Sequence, residues 1–246
     1  MKQTKLIMGM PITVEIVNKN TAKHFATLFD YFRAVDARYS TYKKDSEISL
    51  INDGLTEAEW STEMKSVLEL CEQTRKDTNG YFNITHHGKR DPSGLVKGWA
   101  VANAADMLLK NKVTDFYIEA GGDIQVHGTD ARHHPWTIGI RSPFNIEEII
   151  KTIRVSSEGV ATSGTYIRGQ HIYNPFRPES TIGRVRSVTV IGPNVYEADR
   201  FATAAFAMGE QGIGFIESTP SLEGYMVTDD KVATYTSGFE RYVPND

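Results

Sequence analysis

The chain has 246 residues, of which 40% are hydrophobic and 24% are charged. These fractions are typical of a soluble globular protein and exclude a disordered or fibrous chain. The formal net charge of −4 provides no general attraction to nucleic acid or anionic lipid, so no nucleic-acid partner is expected. The single cysteine, Cys71, excludes an internal disulfide and any multi-cysteine metal centre.

The N-terminal segment lacks the features of a targeting sequence. Its apolar residues are interrupted by Gly9, Pro11, Thr13 and Glu15, and no small-residue cleavage site follows them. This pattern predicts neither a signal peptide nor a membrane-spanning helix. A cytoplasmic protein without a membrane anchor is therefore expected.

The first half of the chain is predicted to contain one strand and three helices. Leu6–Val17 alternates apolar and polar residues around a Gly-Met-Pro bend, which predicts the strand. Apolar residues at helical spacing predict a helix over Thr21–Arg38. A second helix is expected to begin at a Ser-Thr cap and to end at an Asn-Gly pair, and a third to run over Val96–Asn111.

In the second half of the chain, apolar residues recur with a period close to two, which predicts strands. Two predicted helices, over Tyr196–Met208 and Gly212–Glu217, interrupt this pattern. This mixed order lacks regular strand–helix–strand alternation and therefore favours an α+β fold over a doubly wound parallel sheet. Short strands are predicted at Phe116–Glu119, Ile124–His127, Trp136–Arg141, Ile153–Val155, Val185–Ile191, Gly224–Val227 and Val232–Tyr235.

Three glycine-rich or hydroxyl-rich segments are candidates for ligand binding. Asp91–Gly98 precedes a helix and carries Lys97, so it suits a phosphate, although a capped helix with a surface lysine explains it equally simply. The paired glycines of Glu119–Ile124 predict a tight hairpin, and turn chemistry alone accounts for them. The hydroxyl-rich stretch Val160–Tyr166, continuing towards His171, is either part of a site or an exposed loop.

The fourth segment places two oxygen-bearing side chains on one helix face. Asp199 and Thr203 are four residues apart, so their oxygens share a side of the predicted helix. A carboxylate with a hydroxyl is a ligand set that Mg²⁺ accepts, with waters and phosphate oxygens completing the shell. The alternative is that Asp199 caps the helix while Thr203 bonds back to a carbonyl of the same helix.

Together and in order, these segments resemble the FAD:protein FMN transferases, the ApbE-like flavin transferases. Each segment alone is a weak signal, whereas eight in the correct order are specific. Glu119 and Asn174 depart from the family pattern, which usually has asparagine and aspartate there. The matching segments are Met8–Pro11, Tyr39–Ile48, Gly80–Thr85, Asp91–Ala100, Ala120–Ile124, Ala161–Gly164, His171–Pro175 and Asp199–Gly209.

The resemblance implies one domain over residues 1–246, α+β and similar to the tunnelling fold, with mainly antiparallel sheets and helices. If the domain has two lobes, they are closely packed and share the FAD cleft. Mg²⁺ would be bound at the FAD diphosphate by the Gly94 carbonyl and the side chains of Asp199 and Thr203. The implied FAD contacts are Met8 and Tyr42 at the flavin, Tyr81, Phe82 and Asn83 beside the nucleotide, and Asp91, Lys97 and Ile172 elsewhere on FAD.

The implied reaction transfers FMN from FAD, the substrate, to an acceptor protein. A threonine or serine hydroxyl of the acceptor attacks the phosphorus on the FMN side, and AMP leaves. Mg²⁺ with Lys97 would form the catalytic centre, and His171 and Asp199 are the candidates for taking the acceptor's proton. Two alternatives stay open: a Mg²⁺-dependent FAD pyrophosphatase that uses water as acceptor, and a flavin-binding protein without catalysis.

Overall fold

The computed structural model describes residues 1–17, 22–164, 172–178 and 181–244. It begins with a hairpin of β1 (Lys2–Ile7) and β2 (Met10–Ile16), joined by Met8 and Gly9, whose φ angles are +57° and +72°. Positive φ at both central residues is the geometry of a type I′ turn. The single strand expected over Leu6–Val17 is therefore wrong, because the chain reverses at Met8 and Gly9.

Three helices follow: α1 (Ala22–Tyr39), α2 (Glu47–Asn52) and α3 (Thr62–Asp77). The first and third were expected from their spacing, and Ser61 caps α3 by accepting a hydrogen bond from the Met64 N–H. The short α2 was not predicted.

A small ribbon of β3 (Thr85–His86) and β4 (Lys89–Arg90) precedes the long helix α4 (Ser93–Lys110). The helix starts three residues before the predicted Val96. The next hairpin, of β5 (Phe116–Ala120) and β6 (Asp123–His127), turns at the two glycines that predicted it, Gly121 and Gly122, both with positive φ.

The remaining elements complete the chain in the predicted order, with one addition. That addition is β9, which the sequence left as a hydroxyl-rich segment and which is mostly buried between two neighbouring strands. The elements are β7 (Trp136–Arg141), β8 (Ile149–Val155), β9 (Gly159–Gly164), β10 (Val185–Gly192), α5 (Val195–Ala207), α6 (Gly212–Ser218), β11 (Glu223–Thr228) and β12 (Ala233–Tyr235).

Within the described part of the chain, eight strands form one antiparallel sheet in the order β1-β2-β5-β6-β9-β10-β11-β12, and β7 pairs with β8 in a separate ribbon. The predicted α+β class is confirmed. Of the helices that the structure describes, none has the length and hydrophobicity needed to cross a bilayer.

Three hydrophobic clusters form the core of the described residues. One joins β1, β2 and β5 to α1–α4, another joins β9–β11 to α5 and α6, and the third lies beneath the β7–β8 ribbon. Helices α4 and α5 pack against each other, and both contact β6. The middle of the sheet and these two helices therefore meet at one place, where the candidate site lies.

Candidate active site

A cleft of about 800 Å³ opens where α4 and α5 meet the middle of the sheet. A cavity of this volume is in the range that binds cofactor-sized ligands. Segments far apart in sequence contribute to its walls, including α2, the β3–β4 ribbon, α4, β9 and α5. The sequence-predicted residues among its lining are Tyr42, Tyr81, Phe82, Asn83, Asp91, Gly94, Lys97, Ile172, Asp199 and Thr203.

Two predicted site residues are not brought into this group. Met8 lies in the β1–β2 turn, packs against the first hydrophobic cluster and is not among the cleft-lining residues. Its contact with a flavin stays a prediction. His171 lies outside the described residues, so its proposed role as a base is also untested.

The crossing of α4 and α5 explains the position of Asp199. The Gly98 N–H donates to Asp199 Oδ2 at 2.8 Å, and a Cβ on Gly98 would lie 2.6 Å from the Asp199 Cβ. Only glycine allows so close an approach of the two helices. Asn194, not Asp199, caps α5, because its side chain accepts a hydrogen bond from the Glu197 N–H. The capping alternative for Asp199 is therefore wrong.

The same crossing brings Thr203 to the start of α4. Its Oγ1 lies 3.4 Å from the Gly94 carbonyl oxygen and 3.5 Å from Ser163 Oγ. Thr203 thus bonds across to the neighbouring helix, not back to its own. In a regular helix the Gly98 N–H donates a hydrogen bond to the Gly94 carbonyl oxygen. Here it donates to Asp199, so the Gly94 carbonyl oxygen is more available to another partner.

Lys97 lies between two buried carboxylates. Its Nζ is 2.7 Å from Asp123 Oδ2 and 3.9 Å from Asp199 Oδ1. The Asp123 side chain has no solvent exposure, and its Oδ1 has no hydrogen-bond partner among the residues described. Burial raises the pKa of Asp123, and the Asp199 carboxylate raises it further, while Lys97 acts in the opposite direction.

The sequence interpretation missed Asp123 because turn chemistry explained the glycines before it. A detectable signal was present: an aspartate opens a strand that continues as Ile-Gln-Val and is otherwise suited to burial. A carboxylate at a buried position requires a charged or hydrogen-bonding partner, which points to a site.

At the floor of the cleft, where α4 and α5 meet, the atoms that could bind a metal are oxygen atoms of Gly94, Ser163, Asp199 and Thr203. Carboxylate, hydroxyl and carbonyl oxygens are the ligands of hard cations such as Mg²⁺. Among the described residues, no group of three or more histidine, cysteine, aspartate or glutamate side chains is arranged to hold a metal. The set therefore suits a cation that keeps several water or phosphate ligands.

Aromatic side chains and a short ribbon form the opposite wall. The Tyr173 hydroxyl is the donor to two carbonyl oxygens, that of Thr85 at 2.9 Å and that of Asn83 at 3.2 Å, and the centre of its ring lies 4.2 Å from that of the His86 ring. Tyr42 is 96% exposed at the cleft edge. Exposed aromatic faces beside a cleft suit the stacking of a planar ring system. Tyr173 was not predicted as a site residue, although it lies in the matching segment after His171.

Asp91 has a local structural partner as well as a place in the cleft. Its Oδ1 accepts a hydrogen bond from the Ser93 N–H at 3.0 Å, and its own N–H donates to the Ile84 carbonyl. The carboxylate thus supports the first turn of α4, where an acceptor satisfies an otherwise unpaired N–H. The N-cap residue of α4 is Pro92, which makes no side-chain cap hydrogen bond, and Lys97 is not a surface lysine, so the alternative of a capped helix with a surface lysine is wrong.

Comparison with known sequences gives one family and several relatives. The model of the ApbE family matches residues 8–89 and 86–226. The FAD:protein FMN transferase of Vibrio cholerae is 31% identical in an alignment 161 residues long, which covers 60% of this chain and 47% of that protein. The chain thus matches about half the length of that relative. The Haemophilus influenzae FAD:protein FMN transferase is 24% identical and aligns over 82% of this chain and 78% of its own length.

Two solved structures have the same fold. The ApbE protein of Thermotoga maritima superposes with a TM-score of 0.87 at 20% identity, covering 100% of this chain and 99% of that chain. The flavin transferase ApbE from Vibrio cholerae gives a TM-score of 0.86 at 22% identity, with 99% of each chain covered. At these identities the superpositions establish the fold alone.

Proposed function

The chain belongs to the ApbE family, and from that membership we propose that it transfers FMN from FAD to a threonine or serine hydroxyl of an acceptor protein, releasing AMP. The observation that carries the proposal is the cleft floor, where Lys97, Asp199 and Thr203 meet from two helices. A lysine beside an oxygen-only donor set suits a diphosphate and its counterion. The whole chain is the proposed catalytic unit, because neither helix alone supplies the floor.

Mg²⁺ is the proposed metal, held by the Gly94 carbonyl and the side chains of Asp199 and Thr203. The fit rests on charge as well as on donor type. Asp123 and Asp199 are both buried beside one ammonium, so the ionised cluster has a surplus negative charge. Buried uncompensated charge is unfavourable, and a cation would offset it. Bound there, Mg²⁺ would counter the charge of the diphosphate and polarise its phosphorus–oxygen bonds.

The protein's own part in the reaction is binding, alignment and charge neutralisation. The acceptor oxygen forms a bond to the FMN-side phosphorus while the bond from that phosphorus to the AMP oxygen breaks. Lys97 would neutralise a diphosphate oxygen as this charge moves to AMP. The acceptor's proton must pass to a base. Asp199 is poorly suited, since one of its oxygens accepts from Gly98 and the other faces Lys97. His171 remains the proposed base.

The remaining cleft residues are proposed to bind FAD. Tyr42 offers an exposed ring to the flavin, and Tyr81, Phe82 and Asn83 line the wall beside the nucleotide. Ile172 lies on the same lining. A carrier without catalysis would need no lysine buried against carboxylates, so the floor argues against that alternative.

Intact-mass measurement tests the proposal and separates it from hydrolysis. The chain is incubated with FAD, Mg²⁺ and a candidate acceptor domain, and an acceptor heavier by one FMN is the expected product. Release of FMN and AMP with an unmodified acceptor would instead identify a pyrophosphatase. If FAD binds but neither product forms, the chain is a flavin-binding protein without catalysis.

An Asp199→Asn variant tests the metal assignment in the same assay. The substitution keeps the shape and removes the charge, so we expect product only at much higher Mg²⁺ concentration, if at all. A Mg²⁺ titration curve equal to that of the wild-type chain would refute the ligand assignment.

A further inference from the structure

Asp123 differs from the aspartates that support turns in this protein. Asp91 accepts from the Ser93 N–H, and Asp115 accepts from the Thr129 N–H at 2.9 Å. Asp123 also follows a turn, yet neither of its oxygens accepts a backbone hydrogen bond from the described part of the chain, and the side chain has no exposure. Turn formation therefore does not account for this carboxylate.

Among the described residues, the Asp123 side chain forms an ion pair with Lys97, at 2.7 Å, and it also lies beside the Asp199 carboxylate. A buried ion pair is weak evidence for stability, because removing both groups from water offsets much of their attraction. Retaining it in the core of a sheet indicates a use other than stability. Lys97 supplies that use, because its stem belongs to α4 while its ammonium reaches the cleft floor.

A lysine needs such a partner to act at a defined point. Its four-carbon stem can adopt many rotamers, and the ammonium carries no fixed geometry of its own. Asp199 lies farther from the ammonium, at 3.9 Å, and its Oδ2 is engaged by Gly98. Asp123 is the nearer carboxylate, and it lies on a strand in the middle of the sheet.

We infer that Asp123 is a positioning residue, which fixes the Lys97 ammonium at the cleft floor in the place where the diphosphate of FAD binds. The identification of FAD as the ligand rests on the proposed function, whereas the claim that Asp123 restrains the Lys97 ammonium does not. Two measurements therefore address the two parts separately.

The first measurement needs no ligand. The full chain is treated with a limiting amount of acetic anhydride, and acetylation of Lys97 is followed by mass spectrometry relative to Lys110, an exposed lysine at the end of the same helix. Asp123→Asn should raise the relative rate at Lys97 several-fold, because the restraining carboxylate is gone. Asp115→Asn, which removes a carboxylate away from the cleft, should leave it unchanged. An unchanged rate in Asp123→Asn would overturn the inference.

The second measurement is a double-mutant cycle for FAD binding, by calorimetry in EDTA so that no metal-dependent turnover occurs. Asp123→Asn should weaken binding by about fivefold or more in the wild-type background, and by less than about twofold when Lys97→Met is also present. If Asp123 contributed only negative charge, its removal near an anionic ligand would tighten binding instead. Binding equal to or tighter than wild type would therefore refute positioning.

Asp123→Glu provides a second variant should the asparagine disturb folding. It keeps the charge and moves the carboxylate by one methylene, so positioning predicts weaker FAD binding, and wild-type binding would count against it. Failure of the wild-type chain to bind FAD would defeat the proposed function, while the acetylation result would still decide whether Asp123 restrains Lys97.

Discussion

Replacing Gly98 with alanine tests the helix crossing on which the site depends. A Cβ at this position would lie 2.6 Å from the Asp199 Cβ and 2.8 Å from the Val195 carbonyl oxygen. Carbonyl and Cβ atoms cannot rotate away, so α4 and α5 must separate. That separation also stretches the hydrogen bond from the Gly98 N–H to Asp199, which measures 2.8 Å.

The expected magnitude combines three effects. Alanine is the better helix former by about 1 kcal/mol, which favours the variant. Overpacking of a tight contact costs about 1–3 kcal/mol, and loss of a hydrogen bond to a charged group about 1.5–3 kcal/mol. The net change in the free energy of unfolding should therefore be a loss of about 2–5 kcal/mol. For a domain of this size, the melting temperature should fall by roughly 5–15 °C.

Urea and thermal denaturation measure this change, with Gly214→Ala as the matched control. Gly214 also lies in a helix, α6, but nothing lies within 4 Å of where its Cβ would be. The control should gain up to about 1 kcal/mol from helix propensity alone. A Gly98→Ala variant as stable as the wild-type chain would show that the two helices are not held at this distance, and the geometry of the site would need revision.

Three further outcomes are expected. Lys97→Met should fold normally and lower FMN transfer by about 10²-fold or more, and turnover within about twofold of wild type would remove Lys97 from the catalytic centre. Cys71 is buried, which raises its pKa to about 12, so a thiol reagent should modify it only under denaturing conditions; rapid modification of the native chain would contradict its burial. Asp115 has a pKa below its usual range, chiefly through the Thr129 N–H, so it stabilises the fold above its unfolded pKa and loses that effect as pH falls through the folded value. Asp115→Asn should accordingly destabilise the chain at neutral pH, with a difference that shrinks on acidification; a constant difference across that range would refute the assignment.

Elements whose apolar residues recur with a clear helical or strand period were predictable from the sequence. Elements that depend on pairing with neighbouring strands were not. The spacing of apolar residues identified α1 and α3, and paired glycines identified the β5–β6 turn. Strand β9 was missed because Ala161 and Gly164 are of residue types depleted in strands, and they flank only one strand-favouring residue, Thr162. It is a strand because β6 and β10 pair with it on either side.

The site shows the same division. Asp199 and Thr203 share a helix face, so their proximity followed from helical spacing alone. Their link to Gly94, and the ion pair of Lys97 with Asp123, depend on how α4, α5 and β6 pack. No local pattern encodes that packing, so the sequence can indicate that Asp123 is a buried carboxylate but cannot identify Lys97 as its partner.

The wide sequence separation of the candidate site residues determines when the site can form during synthesis. Gly98 and Asp199 are 101 residues apart, and Gly94 and Thr203 are 109 apart. Contacts between such distant segments form late, since long loops must close first. A nascent chain that ends before α5 contains all of the proposed FAD-binding residues but lacks Asp199 and Thr203, two of the proposed metal ligands. The proposed cleft floor therefore cannot form until α5 has left the ribosome, so shorter nascent chains lack the proposed metal site.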